Sequence, residues 1–421
     1  MRAYRSGKQS PNPTGGSLTT SGGLITDAVR TTGAEGDGLT PPAGVGIWPA
    51  ATNLVTNGGF ETNTTGWSTT SPGFWLASGG SFTRVTNESK FGTASARLQV
   101  SQTNRGAAFA VTLAATTTYT VSLWYKGTGN GTQFFFGEAD SGTSSFILIE
   151  ESAPDWTRAS VTFTTSADTA CVIGLRGTQA TPTVDYYIDG VQIETGPIAT
   201  PYIETDGATA SRAAGRAQIP VSGLFTATQG AVFSRLRMGY PSASVTTGTP
   251  YVFDYKDNAN NAVSGFFDES ANNWVTRRFA SDVGTVATVA NTFTTGDSRS
   301  VAHQWSATAV AMSLGGAAFV SAADTNIPVL VATTVDIGRQ TTSAVNFLSG
   351  NVLWFATFAG TLTDADAAAL DSFGDTPPTP ELLMATVSRA AELTSLWACV
   401  DGTFQLVTRF EPQNTPSYKV P

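Results

Sequence analysis

Charge is scarce in this chain: Asp, Glu, Lys and Arg make up only 13% of its 421 residues. Long solvent-facing helices need those residues on their outer faces, so a largely helical protein is a poor fit, and no heptad run marks a coiled coil. Histidine is scarcer still, with one copy at position 303, and cysteine is limited to Cys171 and Cys399. These counts exclude a histidine-rich metal site, a C-x-x-C pair and a disulfide scaffold. The two cysteines lie in apolar runs (ACVIGL, LWACV) and are expected to be buried free thiols. A Ser–His–Asp triad would have to use His303, and no G-x-S-x-G nucleophile elbow accompanies it. No apolar stretch approaches the ~20 residues of a membrane-spanning helix, so membrane insertion is not expected.

The N-terminal stretch MRAYRSGKQSPNPTGGS has basic residues but no apolar core, so no Sec signal peptide is expected. On that reading the chain is made in the cytoplasm and leaves, if it works outside, by lysis or in a particle. A net charge of -9 and a pI near 4.7 give no general attraction to nucleic acid. The basic pairs Arg235/Arg237 and Arg277/Arg278 stand isolated, with no patch interleaved with aromatics.

What is abundant is Gly, with 43 copies, alongside Thr, Ser and Ala. From Asn53 onward, short alternating or wholly apolar runs (ASARLQVS, YTVSLWYKG, TQFFFGE, TRASVTFTT, VDYYIDGVQIE) alternate with turn residues at the spacing of an antiparallel sandwich. In YTVSLWYKG, Tyr119, Val121, Leu123 and Tyr125 share one face and Trp124 leads the other. The same pattern resumes after residue 216 with GAVFSRLRM, YVFDYKD, NWVTRRFA, SVAHQWSAT and NVLWFATFAG. The expected fold class is therefore all-β, with two tandem antiparallel sandwiches. The expected domains are an extended arm over 1–50, a jelly roll over 51–200, a linker over 201–216, a second sandwich over 217–373 and a C-terminal extension over 374–421. The arm cannot bury enough apolar area to order itself and is expected to be held by something else, most simply other subunits. TLTDADAAALDSF predicts one short helix with Thr363 as N-cap and Asp366 closing a capping box. ELLMATVSRAAEL predicts a second, with Leu383, Val387 and Ala390 on one face, and LWACVDGTFQLVTRF a hairpin around Asp401–Gly402.

NLVTNGGFETNTTGWS near the start of the first sandwich, WTRASVTF late in it and YYIDGVQIE at its close resemble the carbohydrate-binding-module 4/9-like jelly roll, over about residues 51–195. That resemblance implies a structural Ca²⁺ site involving Glu61, after Gly-Gly-Phe, and Asp189, in the closing strand; hard carboxylate oxygens suit that ion. In the second sandwich, SVAHQWSATAVAMSLGGA and NVLWFATFAGTLTDADAAAL resemble laminin-G/concanavalin-like lectin folds. The junction PYIETDGATASRAAGR looks like one that recurs in bacteriophage structural proteins, which implies a virion component of the tail or a fibre.

The remaining chemistry is thin. The carboxylate pairs Glu138/Asp140, Glu150/Glu151, Asp254/Asp257 and Asp268/Glu269 are near in sequence, but neighbours on a strand point to opposite faces, so no glycosidase pair is expected. Trp124, Trp156, Trp305 and Trp354 lie in strands as core residues, and Trp67 holds the family's structural Trp position. Trp75, in a loop-like stretch, and Trp274, after an Asn-Asn turn, remain as candidates for stacking on a sugar. The expected function is a non-enzymatic virion protein displaying β-sandwiches on a tail fibre, spike or minor tail protein and contacting host surface polysaccharide. A head fibre or capsid decoration protein is the alternative, and a module accessory to a glycan-binding or glycan-degrading enzyme a third. Such a component is expected to be a homo-oligomer docked on other virion proteins through the arm or the C-terminal extension.

Overall fold

Alternation of apolar and polar residues, with glycine-rich turns between runs, leaves the backbone little choice but to pair strand with strand, and it does so throughout. A computed structural model of the chain describes residues 18–20, 23–26, 29–31, 44–70, 76, 79–138, 144–167, 169–221, 223–244, 249–341, 346–388, 393–400 and 403–409. Two compact units result. The first is built on residues 50–213 and the second on residues from 214 together with the strands between 18 and 47.

The first unit is a jelly roll of two five-stranded antiparallel sheets. One runs Ser152–Thr164, Thr118–Thr128, Val184–Thr195, Ser95–Val100, Ser81–Val85; the other Ser144–Leu148, Thr132–Glu138, Ala170–Gly177, Arg105–Thr112, Trp67–Ser68. Tyr119, Val121, Leu123 and Tyr125 enter the core from the first sheet as the alternation requires, facing Phe134, Phe136, Ile173 and Leu175 from the second. Phe136 and Phe163 stack at 3.4 Å between centroids. Trp67 joins this core against Phe60, Phe82 and Phe109, its indole N–H donating to the Asn57 carbonyl at 3.1 Å. Cys171 is buried there as a free thiol; the side chain of Cys399 lies outside the described residues.

The segment expected to be a linker folds back onto this unit. Ala210–Arg212 pairs with Ala51–Asn53 as a two-stranded ladder, and Tyr202 and Ile203 are buried. The reason lies in the closing strand, whose Gln192 and Glu194 point away from the core and would otherwise be solvated. Instead Gln192 accepts from the Ile203 N–H at 2.7 Å, and Glu194 accepts from the Thr200 N–H at 2.7 Å and its hydroxyl at 2.6 Å. Asn53 ties three pieces together while fully buried. Its amide donates to the carbonyls of Val191 and Ile203, and its oxygen accepts from the N–H groups of Val55 and Ile193.

The second unit is a larger sandwich. Its eight-stranded sheet runs Leu18–Thr20, Gly23–Thr26, Arg216–Pro220, Thr334–Ile337, Tyr251–Asn258, Asn261–Asp268, Asn273–Ala280, Val283–Ala290. The nine-stranded sheet centres on Gly230–Met238 between Ser298–Trp305 and Gly350–Phe358, and Gly44–Ile47 pairs with the last of these. The arm thus supplies strands to both sheets through backbone hydrogen bonds, where the sequence led us to expect outside subunits. Ile47 and Trp48 anchor its end at 0% exposure, with Gly338 leaving room for Ile47, a Cβ there falling 2.7 Å from Ile47 Cγ1. The helix Asp364–Ser372 carries the capping box of Thr363 and Asp366 and, with Leu362 and Leu383, covers an outer patch of the nine-stranded sheet. The second helix is shorter than the periodicity suggested. It spans Pro380–Thr386, and Val387 is already extended. Ser388 is captured by Asp366, which accepts its N–H at 2.6 Å and its hydroxyl at 2.8 Å; Ala390 lies outside the described residues. Leu393–Val400 and Thr403–Arg409 pair as the expected hairpin and extend the nine-stranded sheet beside Gly350–Phe358; Asp401 and Gly402 lie outside the described residues.

Two consequences can be measured. Asn53→Ala leaves two amides and two carbonyls of a dry interior unpaired and should lower the stability of the first unit by about 3 kcal/mol, while Thr52→Ala, at the surface, should stay within about 0.5 kcal/mol; chemical denaturation read by tryptophan fluorescence checks both. His303 sits between the sheets at 0% exposure, its Nδ1 2.8 Å from the Thr276 hydroxyl, and burial lowers its pKa to about 3. A histidine held neutral in the fold but free to charge when unfolded costs stability as pH falls from about 6.5 towards 3, and nothing above that window. Thermal melts across this range should fall more steeply for the wild type than for His303→Gln.

Candidate functional site

With Phe134 and Phe136 in the core, the intervening side chains of the same strand must face outward, and the neighbouring strands follow in register. Leu148, Gln133, Arg176 and Gly106 line up across four strands; Phe146, Phe135, Gly174, Ala108 and Ser68 form the next row; Ser144, Gly137, Val172 and Ala110 the third. At ~4.8 Å per strand the first row runs about 14 Å. The floor these rows form is largely enclosed: Gly106, Ala108, Phe135, Gly137, Val172 and Gly174 are buried, Gln133 and Arg176 are half-buried, and Ser144, Phe146 and Leu148 are exposed.

Functional groups rise from one end of this floor. Arg176 donates from Nε and Nη2 to the Gln133 side-chain oxygen at 3.0 and 2.9 Å, and its guanidinium lies 5.2 Å from the Phe135 ring centroid. Burial lowers the Arg176 pKa from its ordinary value. Beside them, on the edge strand, Phe146 and Leu148 are 53% and 64% exposed. At the other end Leu76 packs over Ala108, Phe135 and Val172. Phe135 itself is buried beneath Leu76, but the exposed Phe146 ring near an amide and a guanidinium offers what a pyranose needs: apolar area for its C–H face and directed donors for its hydroxyls.

The residues singled out from sequence lie elsewhere. Trp274 is fully buried against Phe267 and Phe293 and has no face to offer a sugar; the turn before it directs the ring inward because the strand's alternation does. Trp75 lies outside the described residues. Trp124, Trp305 and Trp354 are core residues, and Trp156 is half-buried against the cluster of Phe91, Trp124 and Tyr202. Glu138 is buried, accepting from Ser166, and Asp140 lies outside the described residues. Asp254 is buried, with burial raising its pKa, and accepts from the Ser264 hydroxyl and the Thr341 N–H, while Asp257 stays at the surface beside Asn258. Glu150 and Glu151 are both exposed. Burial, then the charge of Asp268, pushes Glu269 up to about 7, but Asp268 itself caps a turn through Ser270.

Glu61 and Asp189 do come near one another, across the loop from Glu88 to Ala94. Asp189, at 0% exposure, accepts the N–H groups of Lys90 at 2.8 Å, Phe91 at 2.9 Å and Gly190 at 2.7 Å. Burial pushes its carboxyl up to about 8, the three amides opposing the rise and Glu61 adding to it. Glu61 accepts from the N–H groups of Thr93 and Ala94 and from the Thr93 hydroxyl at 2.8 Å. A calcium ion needs six to eight oxygens aimed inward. Here the groups aimed at both carboxylates are N–H donors, and among the described residues no three His, Cys, Asp or Glu side chains are grouped to hold a metal. The donor set does not fit the ion the sequence resemblance implied.

Comparison with known proteins agrees with the first unit's architecture. Residues 52–181 match the carbohydrate binding domain family CBM_4_9. This unit is a carbohydrate-binding-module-like jelly roll. Among solved structures, a Family 16 Carbohydrate Binding Module-2 aligns at 23% identity over 34% of this chain and 99% of its own, with a TM-score of 0.27. The CBM22-1–CBM22-2 tandem domain from Paenibacillus barcinonensis Xyn10C aligns at 11% identity over 69% of this chain and 90% of its own, with a TM-score of 0.29. Domains LG4-5 of the mouse laminin alpha1 chain align at 9% identity over 59% and 84%, with a TM-score of 0.28. No curated protein matches the chain. Within the first unit, the outward placement of Gln133, Phe135, Phe146 and Arg176 escaped the sequence reading. The run TQFFFGE did signal one outward Phe among three, but only the fold says which.

Proposed function

We propose that the chain is a non-enzymatic glycan-binding protein whose first unit takes polysaccharide at the exposed sheet edge around Gln133, Phe146 and Arg176. The observation that carries this reading is the exposed Phe146 beside the Arg176–Gln133 pair, on a sheet of a jelly roll that matches a carbohydrate binding domain family. The second sandwich then serves as scaffold or partner surface. The setting we propose is the surface of a bacteriophage particle, on a tail fibre, spike or minor tail protein, with bacterial surface polysaccharide as the ligand and other virion proteins as neighbours. The support for that setting is the junction motif PYIETDGATASRAAGR; a head fibre or decoration protein fits it equally.

Two measurements test these parts separately. On a glycan array the full chain should bind polysaccharide, and Phe146→Ala and Arg176→Ala should each weaken binding roughly tenfold, the loss of one stacking or charge-assisted contact of about 1–1.5 kcal/mol, with melting unchanged for the exposed Phe146. Wild-type binding unaltered by both substitutions would overturn the site. Gold-labelled antibody against the chain should decorate purified virions; labelling confined to host-cell protein would overturn the setting alone.

A further inference from the structure

We infer that Glu61 and Asp189 act together as a cation-free brace, a pair of carboxylates that hold the Glu88–Ala94 loop by its amides and so seat Tyr202 and the segment around it. The inference stands apart from the glycan reading, since the brace and the Gln133–Arg176 face lie on different sheets.

Four residues of one short loop, Lys90, Phe91, Thr93 and Ala94, turn their N–H groups to the two carboxylates. Successive amides facing one way make a concavity for an anion, and a carboxylate supplied by the chain fills it as a bound anion would. The turn between the two halves is Gly92, whose φ of 53° is left-handed and where a Cβ would collide with the Glu61 carboxylate. Gly190 has the matching role on the strand: at φ 58°, a Cβ there would lie 2.5 Å from Phe91 Cε2. Phe60, also left-handed at φ 56°, is buried while Glu61 next to it reaches the loop. The buried Trp124 indole N–H, whose residue pairs with Asp189 in the ladder, has no acceptor, and the Lys90 ammonium lies 4.1 Å from the Trp124 ring centroid. Amide donors are the wrong lining for Ca²⁺ and the right one for carboxylates.

What the brace positions is Phe91. Its ring meets Tyr202 at 4.7 Å and Trp124 at 6.2 Å between centroids, so the loop is the surface against which the segment after the closing strand packs. Glu204 and Asp206 carry further negative charge close to Glu61, and Asp206 accepts from the Thr62 hydroxyl at 2.8 Å. That charge is why calcium is the decisive probe.

Calorimetry of the full chain in EDTA and in saturating calcium chloride, with wild type, Glu61→Gln and Gly92→Ala, tests the brace. The wild-type transition of the first unit should not move between the two conditions, and both variants should lower it by the same amount in each. A calcium ion present at a hundred times its dissociation constant would raise the midpoint by roughly 5–10 °C, and a wild-type rise of that size overturns the inference. Should the variants not fold, hydrogen exchange on the wild type decides. Amides of Lys90, Phe91, Thr93 and Ala94 should be protected in EDTA, and exchange there at the rate of an open loop overturns the brace.

Discussion

A single buried amide closes the first unit. Asn53 has no water to turn to, so its two donors and its acceptor must all be satisfied by backbone, and the four groups that do so belong to the opening of the domain, its closing strand and the segment beyond. A side chain with that geometry admits one arrangement of the three pieces. Register in the closing strand follows from it, and with register comes the side to which every residue of the strand points. Gln192 and Glu194 then necessarily face away from the core, and the folded-back segment that covers them also supplies their hydrogen-bond partners.

The same alternation separates structure from function across the second sheet of that unit. One set of side chains fills the core; of the complementary set, Phe135, Ala108 and Val172 are buried under Leu76, and Phe146 is left exposed at the edge near the Arg176–Gln133 pair. An exposed phenylalanine and leucine on an edge strand would be a liability for aggregation in a protein with no use for them.

In the second unit the physical constraint is different. There, buried polar residues are matched across the sandwich. Arg278 and Asp324 pair at 2.7 Å with both side chains fully enclosed, and His303 leans on Thr276. Breaking any one leaves a charge or a donor stranded in a dry interior, which is costlier than never having placed it there. Such pairs fix which strand lies opposite which, and the arm strands then add to sheet edges already defined, needing only backbone complementarity.

Much of this was legible beforehand and for identifiable reasons. Strand runs, the core placement of Trp305 and Trp354, and the capping box of Thr363 and Asp366 follow from periodicity and local chemistry, which the chain carries residue by residue, while the place of Trp67 came from the family resemblance. Trp274 misled because an aromatic after a turn looks presented until the sheet above it is known. The arm misled because paired strands need no apolar face of their own once an edge is available. Glu61 and Asp189 were found as a pair, but what they bind depends on whether the loop between them offers carbonyls or amides, and that is set by the backbone angles of Gly92 and Phe60. Composition and alternation determine on their own that this is a protein of packed β-sheets with little charge. Only the tertiary structure decides which half of each strand is core and which is surface, because a period of two fixes the alternation but leaves its phase to be set by contacts distant in sequence.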